Sequence, residues 1–227
     1  SEELSRALSN IRESEEEMRL RWIRDEENWR KLPARAWPPV QPDADAVPLL
    51  RSTMQDKCKN ISSPECIQSK FDLATALTFN HMEGDEGIRI YRELAGQGNS
   101  DGMTALGVCQ LEGLPRDEFM DTDEAVRWLH RAVEKKNAQG IFEMGILYYT
   151  GSAEPVVLED ERTAFDYFEK AAELNHTSAL YMVAHMMMKE EGCSQNLPRS
   201  IDLLYRAGER GHRTARATLL KILDEYA

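Results

Sequence analysis

Residues 121–175 read DTDEAVRWLHRAVEKKNAQGIFEMGILYYTGSAEPVVLEDERTAFDYFEKAAELN, and this stretch repeats itself. Ala125-Val126-x-Trp128-Leu129-x-x-Ala132-Val133 returns as Ala164-Phe165-x-Tyr167-Phe168-x-x-Ala171-Ala172. Between the two copies lies a different pattern, Phe142-x-Met144-Gly145-x-x-x-Tyr149-x-Gly151. Two short amphipathic helices that recur at a long period are the mark of an α-solenoid. A single pair cannot bury its apolar face, so neighbouring pairs must stack.

The register extends in both directions from this unit. Gly87, Ala125, Ala164 and Ser200 share one place in the second helix of each pair, at spacings of 38, 39 and 36 residues. Behind them follow Ile88-x-Ile90-Tyr91, Val126-x-Trp128-Leu129, Phe165-x-Tyr167-Phe168 and Ile201-x-Leu203-Leu204. Small residues close these helices at Leu94-Ala95, Ala132-Val133, Ala171-Ala172 and Ala207-Gly208. In the first helices, Leu106-Gly107, Met144-Gly145 and Val183-Ala184 coincide. Small residues at fixed places let two helix backbones approach, and the large ones fill the space beside them. The variable segments 112–123, 152–161 and 189–198 fall at one equivalent place, the turn inside each pair, as insertions in a solenoid do. Residues 212–226 then supply a final capping helix. The expected fold is therefore all-α, a solenoid of about four helix-turn-helix repeats over residues 46–227 with at least seven helices.

Composition narrows the function. With 41% hydrophobic and 30% charged residues in 227, the chain is that of an ordinary soluble protein. A net charge of −12 argues against nucleic acid, whose binders carry a basic stripe, and against an anionic membrane surface. No apolar run reaches the roughly 18 residues needed to span a bilayer. The richest run, residues 182–188, is short and interrupted by His185. No signal or transit segment is visible, and the chain opens at Ser1 rather than Met, which leaves room for a targeting segment ahead of it.

Residues 1–45 read as a separate arm. Apolar residues stand at Leu4, Leu8, Ile11, Met18, Trp22, Ile23 and Trp29 within a densely charged stretch, and the early spacing of four, three and seven fits one narrow helical stripe. A stripe that thin leaves an isolated helix marginal in water. Pro33, Pro38, Pro39, Pro42 and Pro48 follow, and proline at that density favours extended chain. The arm carries three of the four tryptophans, Trp22, Trp29 and Trp37. Indoles are enriched at interface anchors, so these three are the candidate partner-binding residues. The alternative is that the arm folds back on its own solenoid.

The repeat resembles the Sel1-like repeat family, a relative of the tetratricopeptide repeats. That family reads approximately A-x-x-L-G-x-x-Y-x-x-G, a turn, then A-x-x-W/Y-Y/F-x-K-A-A-x-x-G. It is matched here by MTALGVCQLEG with EAVRWLHRAVEKKN, and by FEMGILYYTG with TAFDYFEKAAELN. The match covers residues 65–226, with a degenerate first copy and longer, unrelated segments in place of the family's short turn. The resemblance implies a scaffold for other proteins.

The register also gives two of the four cysteines a meaning. Cys58 falls where Ala95, Val133 and Ala172 fall, and Cys66 where Met103, Ile141 and Leu180 fall. Helices joined by a tight turn bring these places side by side, near the ~5.5 Å between Cα atoms that a disulfide needs. The C-x7-C spacing resembles cysteine-rich bacterial and certain mitochondrial members of the family, which staple adjacent helices. A Cys58–Cys66 bond in so short a ring contributes about 2–3 kcal/mol in the chain-entropy model. It would place the chain in an oxidising compartment. Otherwise the pair are two buried thiols. Asn60-Ile61-Ser62 satisfies the glycosylation sequon, which would matter only after passage through the endoplasmic reticulum.

No residue pattern points to catalysis, a cofactor or a metal. His81, His130, His176, His185 and His212 are scattered, with His176 and His212 at a shared turn position. The sequence lacks C-x2-C and H-x3-H pairs, nucleophile motifs and phosphate loops. Of Met186, Met187 and Met188, two are expected in the core. The expectation is a non-enzymatic accessory subunit of a larger, organellar protein complex, peripheral to any membrane. The oxidising compartment expected is the mitochondrial intermembrane space, with plastid, endoplasmic reticulum lumen or secretion as alternatives. Other readings are an assembly factor for a respiratory or other membrane complex, and a secreted or periplasmic repeat protein that binds a small molecule.

Overall fold

The computed structural model describes residues 2–12, 18–19, 22, 46–60, 63–78, 83–116 and 119–225. Their helices are α1 (Glu2–Arg12), α2 (Val47–Lys57), α3 (Pro64–Thr78), α4 (Gly84–Gly96), α5 (Ser100–Glu112), α6 (Thr122–Glu134), α7 (Ala138–Thr150), α8 (Glu161–Glu173), α9 (Thr177–Lys189), α10 (Leu197–Glu209) and α11 (Arg213–Glu225). No strand occurs among the described residues. The chain divides into two compact units, Arg35–Met144 with Ala153–Leu158, and Ser1–Ala34 with Gly145–Ser152 and Glu159–Ala227.

First and second helices of a pair bury different amounts of themselves. Second helices keep one apolar face: α6 buries Ala125, Val126, Leu129 and Ala132, a spacing that lines a single side. First helices are covered on most sides: α5 buries the unbroken run from Gly102 to Gln110. A helix buried all round must be short of charge, and α5 carries only Asp101 and Glu112, at its ends.

In the unit built on Arg35–Met144, helices α2 to α6 pack in succession. Its core joins Ala74, Ile88, Tyr91, Ala95, Met103, Leu106, Cys109 and Ala132, with Phe71 and Trp128 against it. Tyr91 is fully buried and shares a 2.7 Å hydrogen bond with the Thr75 hydroxyl, so its phenol is not left unpaired. Glycines set the helix spacing. A Cβ on Gly102 would lie 2.7 Å from Leu94 Cβ, and one on Gly140 would lie 2.7 Å from Ala132 Cβ. Gly102 and Gly140 lie one repeat apart, and their neighbours Leu94 and Ala132 belong to the places where second helices close.

In the other unit, α8 to α11 pack in succession and α1 lies against α10. Phe168, Leu180, Met186, Leu204, Ala207 and Leu219 are fully buried. Gly145 faces the Phe168 ring, and Tyr149 meets the same ring edge-on at 6.2 Å. Met186 and Met187 are in the core while Met188 is half-buried, the expected two of three.

The caps repeat with the fold. Ser63, Asn99, Asn137, His176 and His212 stand before first helices, and each side chain accepts the backbone N–H three residues on. Asp121, Asp160 and Asn196 do the same for second helices. An Asn in this role is ordinary. A histidine can serve only while neutral, because Nδ1 must offer a lone pair. Burial holds His176 at about 4, below its ordinary 6.5. The neutral cap is therefore intact above pH 6.5. Stability is lost as pH falls from 6.5 to about 4, where the unfolded chain takes a proton that the fold refuses. The expected loss is about 2–3 kcal/mol. Denaturant midpoints across this range should fall in the wild type, and the fall should shrink in His176→Asn, which keeps a cap without titrating. An unchanged profile in that variant would show that the ring is not the group responsible.

Candidate interaction surface

The described part of the arm is not separate from the fold. Leu8, Ile11, Met18 and Trp22 are all buried, and Trp22 is only 4% exposed. Trp22 lies on α10 and α11: its Nε1 donates to Glu209 Oε1 at 3.1 Å, and the Arg216 guanidinium sits 4.9 Å from the ring centroid. Arg216 is itself anchored, its Nε donating to the Gly208 carbonyl at 2.6 Å. A Cβ on Gly208 would come within 2.9 Å of the indole, so the glycine makes room for it. Arg19 adds a 2.8 Å ion pair to Asp224.

At its described positions the arm follows the alternative of folding back on its own chain, with Trp22 covered by α10 and α11. The physical reason is complementarity. The narrow stripe that could not hold a helix in water finds its cover on α10 and α11 of the same chain. Trp29 and Trp37 lie outside the described residues. Glu209 and Arg216 escaped the sequence reading because nothing local marks them; they sit almost a chain length away from Trp22. Between α1 and α10 there remains a cavity of about 430 Å³, lined by Glu3, Arg6, Ile11, Ile201, Asp202 and Tyr205.

The cysteines sort into two kinds. Cys58 caps the C-terminus of α2, Cys66 lies in the first turn of α3, and the two form a disulfide with Cα atoms 4.6 Å apart. Cys109 is buried among apolar groups, which push its thiol up to about 12, so it behaves as an inert filler. Cys193 is partly exposed and its pKa is also raised by burial. Asn60 is exposed on the turn between the bonded cysteines, while Ile61 and Ser62 lie outside the described residues.

His176, His185 and His212 are capping or packing residues, while His130 is exposed on α6. His212 caps α11 and stacks on Tyr181 at 4.5 Å, and His185 stacks on the same residue at 5.8 Å. Burial lowers the pKa of both. One half-buried carboxyl stands out: desolvation pushes Glu143 of α7 up to about 7, against the Gln139 amide that donates to it at 2.6 Å, with Glu112 adding its negative field. Among the described residues no group of His, Cys, Asp or Glu is placed to hold a metal ion. No helix among them is long and apolar enough to cross a membrane.

Large apolar side chains are nonetheless exposed. They are Leu49, Met120, Val156, Leu158 and Leu174. Met120 belongs to the turn between α5 and α6, and Val156 and Leu158 to the turn between α7 and α8.

Paired helices at a fixed register, with repeated caps and small residues at the contacts, define a helical-repeat protein of the α-solenoid class. The Sel1 repeat family model matches residues 100–137, 138–176 and 177–212, which are the pairs α5–α6, α7–α8 and α9–α10. The chain is a Sel1-repeat protein. Two solved structures resemble it in fold. One is a Sel1 repeat protein from Oxalobacter formigenes, with 24% identity over 58% of this chain and 95% of that one, at a TM-score of 0.52. The other is c5321, described as a protective antigen of uropathogenic Escherichia coli strains displaying an SLR fold. It shows 21% identity over 81% of this chain and 38% of its own, at a TM-score of 0.58. No curated protein matches the chain. Sel1-repeat proteins generally mediate protein–protein interaction, and their fold is typically a non-catalytic scaffold.

Proposed function

We propose that this chain is a non-enzymatic scaffold, an accessory subunit held in a larger protein complex of an oxidising organelle compartment. The observation that carries this reading is the run of three consecutive Sel1 repeats. Their large side chains are consumed in packing helix pairs, which leaves surface and turns to recognise other proteins. The Cys58–Cys66 bond supports an oxidising compartment, since ordinary cytosol keeps such pairs reduced. The mitochondrial intermembrane space is the favoured site, with plastid, endoplasmic reticulum lumen or secretion as the other compartments that tolerate the bond.

Native mass spectrometry of the protein isolated from its source is the direct test. A stoichiometric assembly is the expected result, and a monomer throughout would overturn the scaffold reading. Substoichiometric, passing association would favour an assembly factor instead. Thiol-blocked, non-reducing peptide mapping of the same material should find Cys58 linked to Cys66, with Cys109 and Cys193 free. A reduced pair would remove the support for an oxidising compartment.

A further inference from the structure

We infer that the turn between α5 and α6 and the turn between α7 and α8 form a docking surface for a basic protein segment that carries apolar side chains. The inference rests on the scaffold reading and names the partner's chemistry. Five large apolar side chains are exposed among the described residues, and three of them sit on two such turns. Met120 is 56% exposed, Val156 39% and Leu158 64%. Both turns belong to one compact unit, because Ala153–Leu158 packs with Arg35–Met144.

Described residues of both turns are anchored. Ala153 and Val157 are buried, so Val156 and Leu158 are held outward on either side of a fixed point. In the other turn Leu114 and Phe119 pack against the core, and Met120 is left facing solvent. Single exposed apolar residues are common on proteins and need no explanation. A concentration of them on anchored turns is different, since repeat proteins gather their recognition loops on one edge.

Charge selects the occupant. Glu112, Asp121, Asp123 and Glu154, in or flanking the same two turns along the chain, are exposed. The neighbouring Arg116 is already paired with Asp85. An acidic edge repels phosphate, which removes nucleic acid and anionic bilayers as occupants. It equally repels a second copy of a chain whose net charge is −12. A segment with Lys or Arg between apolar residues satisfies both features, its cations meeting the carboxylates while its apolar side chains cover Met120, Val156 and Leu158.

The test uses the full chain and a fluorescent probe, a short amphipathic helix of leucine and lysine. The wild type should bind it, and the triple variant Met120→Ser/Val156→Ser/Leu158→Ser should bind about tenfold or more weakly. Leu49→Ser, which removes an equally exposed apolar group elsewhere, should bind as the wild type does. Glu112→Lys/Glu154→Lys should weaken binding and flatten its salt dependence. All the substituted side chains are exposed, so unchanged melting curves will show that the variants fold. Equal affinity of the triple variant, equal loss in Leu49→Ser, or equal binding of a leucine–glutamate helix would each overturn the inference. Native mass spectrometry separates this failure from that of the scaffold reading. An assembly that forms undiminished with the triple variant sinks the docking edge and leaves the scaffold standing, whereas a wild type found only as a monomer sinks the scaffold.

Discussion

Trp22→Ala is expected to destabilise the unit that holds α8 to α11 by about 3–5 kcal/mol, the usual cost of removing a buried large aromatic. The indole is 4% exposed and touches three different groups. Its face takes the Arg216 guanidinium, its N–H reaches Glu209, and its edge fills the space above Gly208. Truncation leaves a void beside an arginine that is only 8% exposed, with part of its cover gone. Melting should fall on the order of 10 °C. Hydrogen exchange should quicken in α10 and α11, the helices that carry Gly208, Glu209 and Arg216. Trp22→Phe should recover only part of the loss, because it keeps one aromatic ring but gives up both the Glu209 bond and the indole atoms that lie over Gly208. If melting and exchange are unchanged in Trp22→Ala, the stripe is not part of the fold, and Trp22 returns as an anchor for another chain.

Phe168→Ala should cost a similar amount, about 3–5 kcal/mol, but the informative measurement is its coupling to Gly145. Phe168 is fully buried, and a Cβ built on Gly145 would lie 2.7 Å from two atoms of the ring. Gly145→Ala alone therefore overpacks the contact and should cost about 1–3 kcal/mol. With the ring removed, the added methyl enters the void instead of striking it. The double variant should be more stable than the sum of the single losses implies by about 1 kcal/mol or more. Strict additivity would mean that the two residues do not meet.

Gly145 and Phe168 were both visible in the register, as a small place in a first helix and a large one in a second. Their meeting follows from nearest-neighbour stacking at a fixed period, which a linear repeat encodes directly. The Cys58–Cys66 pair was legible for the same reason, since a helix, a turn and a helix span the whole distance. The caps were legible in part. His176 and His212 shared a turn position in the sequence, but their role as acceptors for Ala179 and Ala215 depends on ring orientation, which no spacing reports.

Helix type, repeat length and the positions of small and aromatic residues were thus carried by the amino-acid order, because each arises from contacts between residues less than one repeat apart. The fate of the N-terminal stripe was not. Leu4, Leu8, Ile11 and Met18 mark an apolar line that needs a cover, with Trp22 beyond it, yet an apolar line has no preference written into it for its own chain or another. Which surface covers it depends on α10 and α11, at the opposite end of the chain, and on Gly208, Glu209 and Arg216, which converge on the indole only once those helices have folded. Exposure of the turns was hidden for the same reason. Val156, Val157 and Leu158 are alike as residues, and only the packing of Ala153 and Val157 turns one inward and leaves its two neighbours in water.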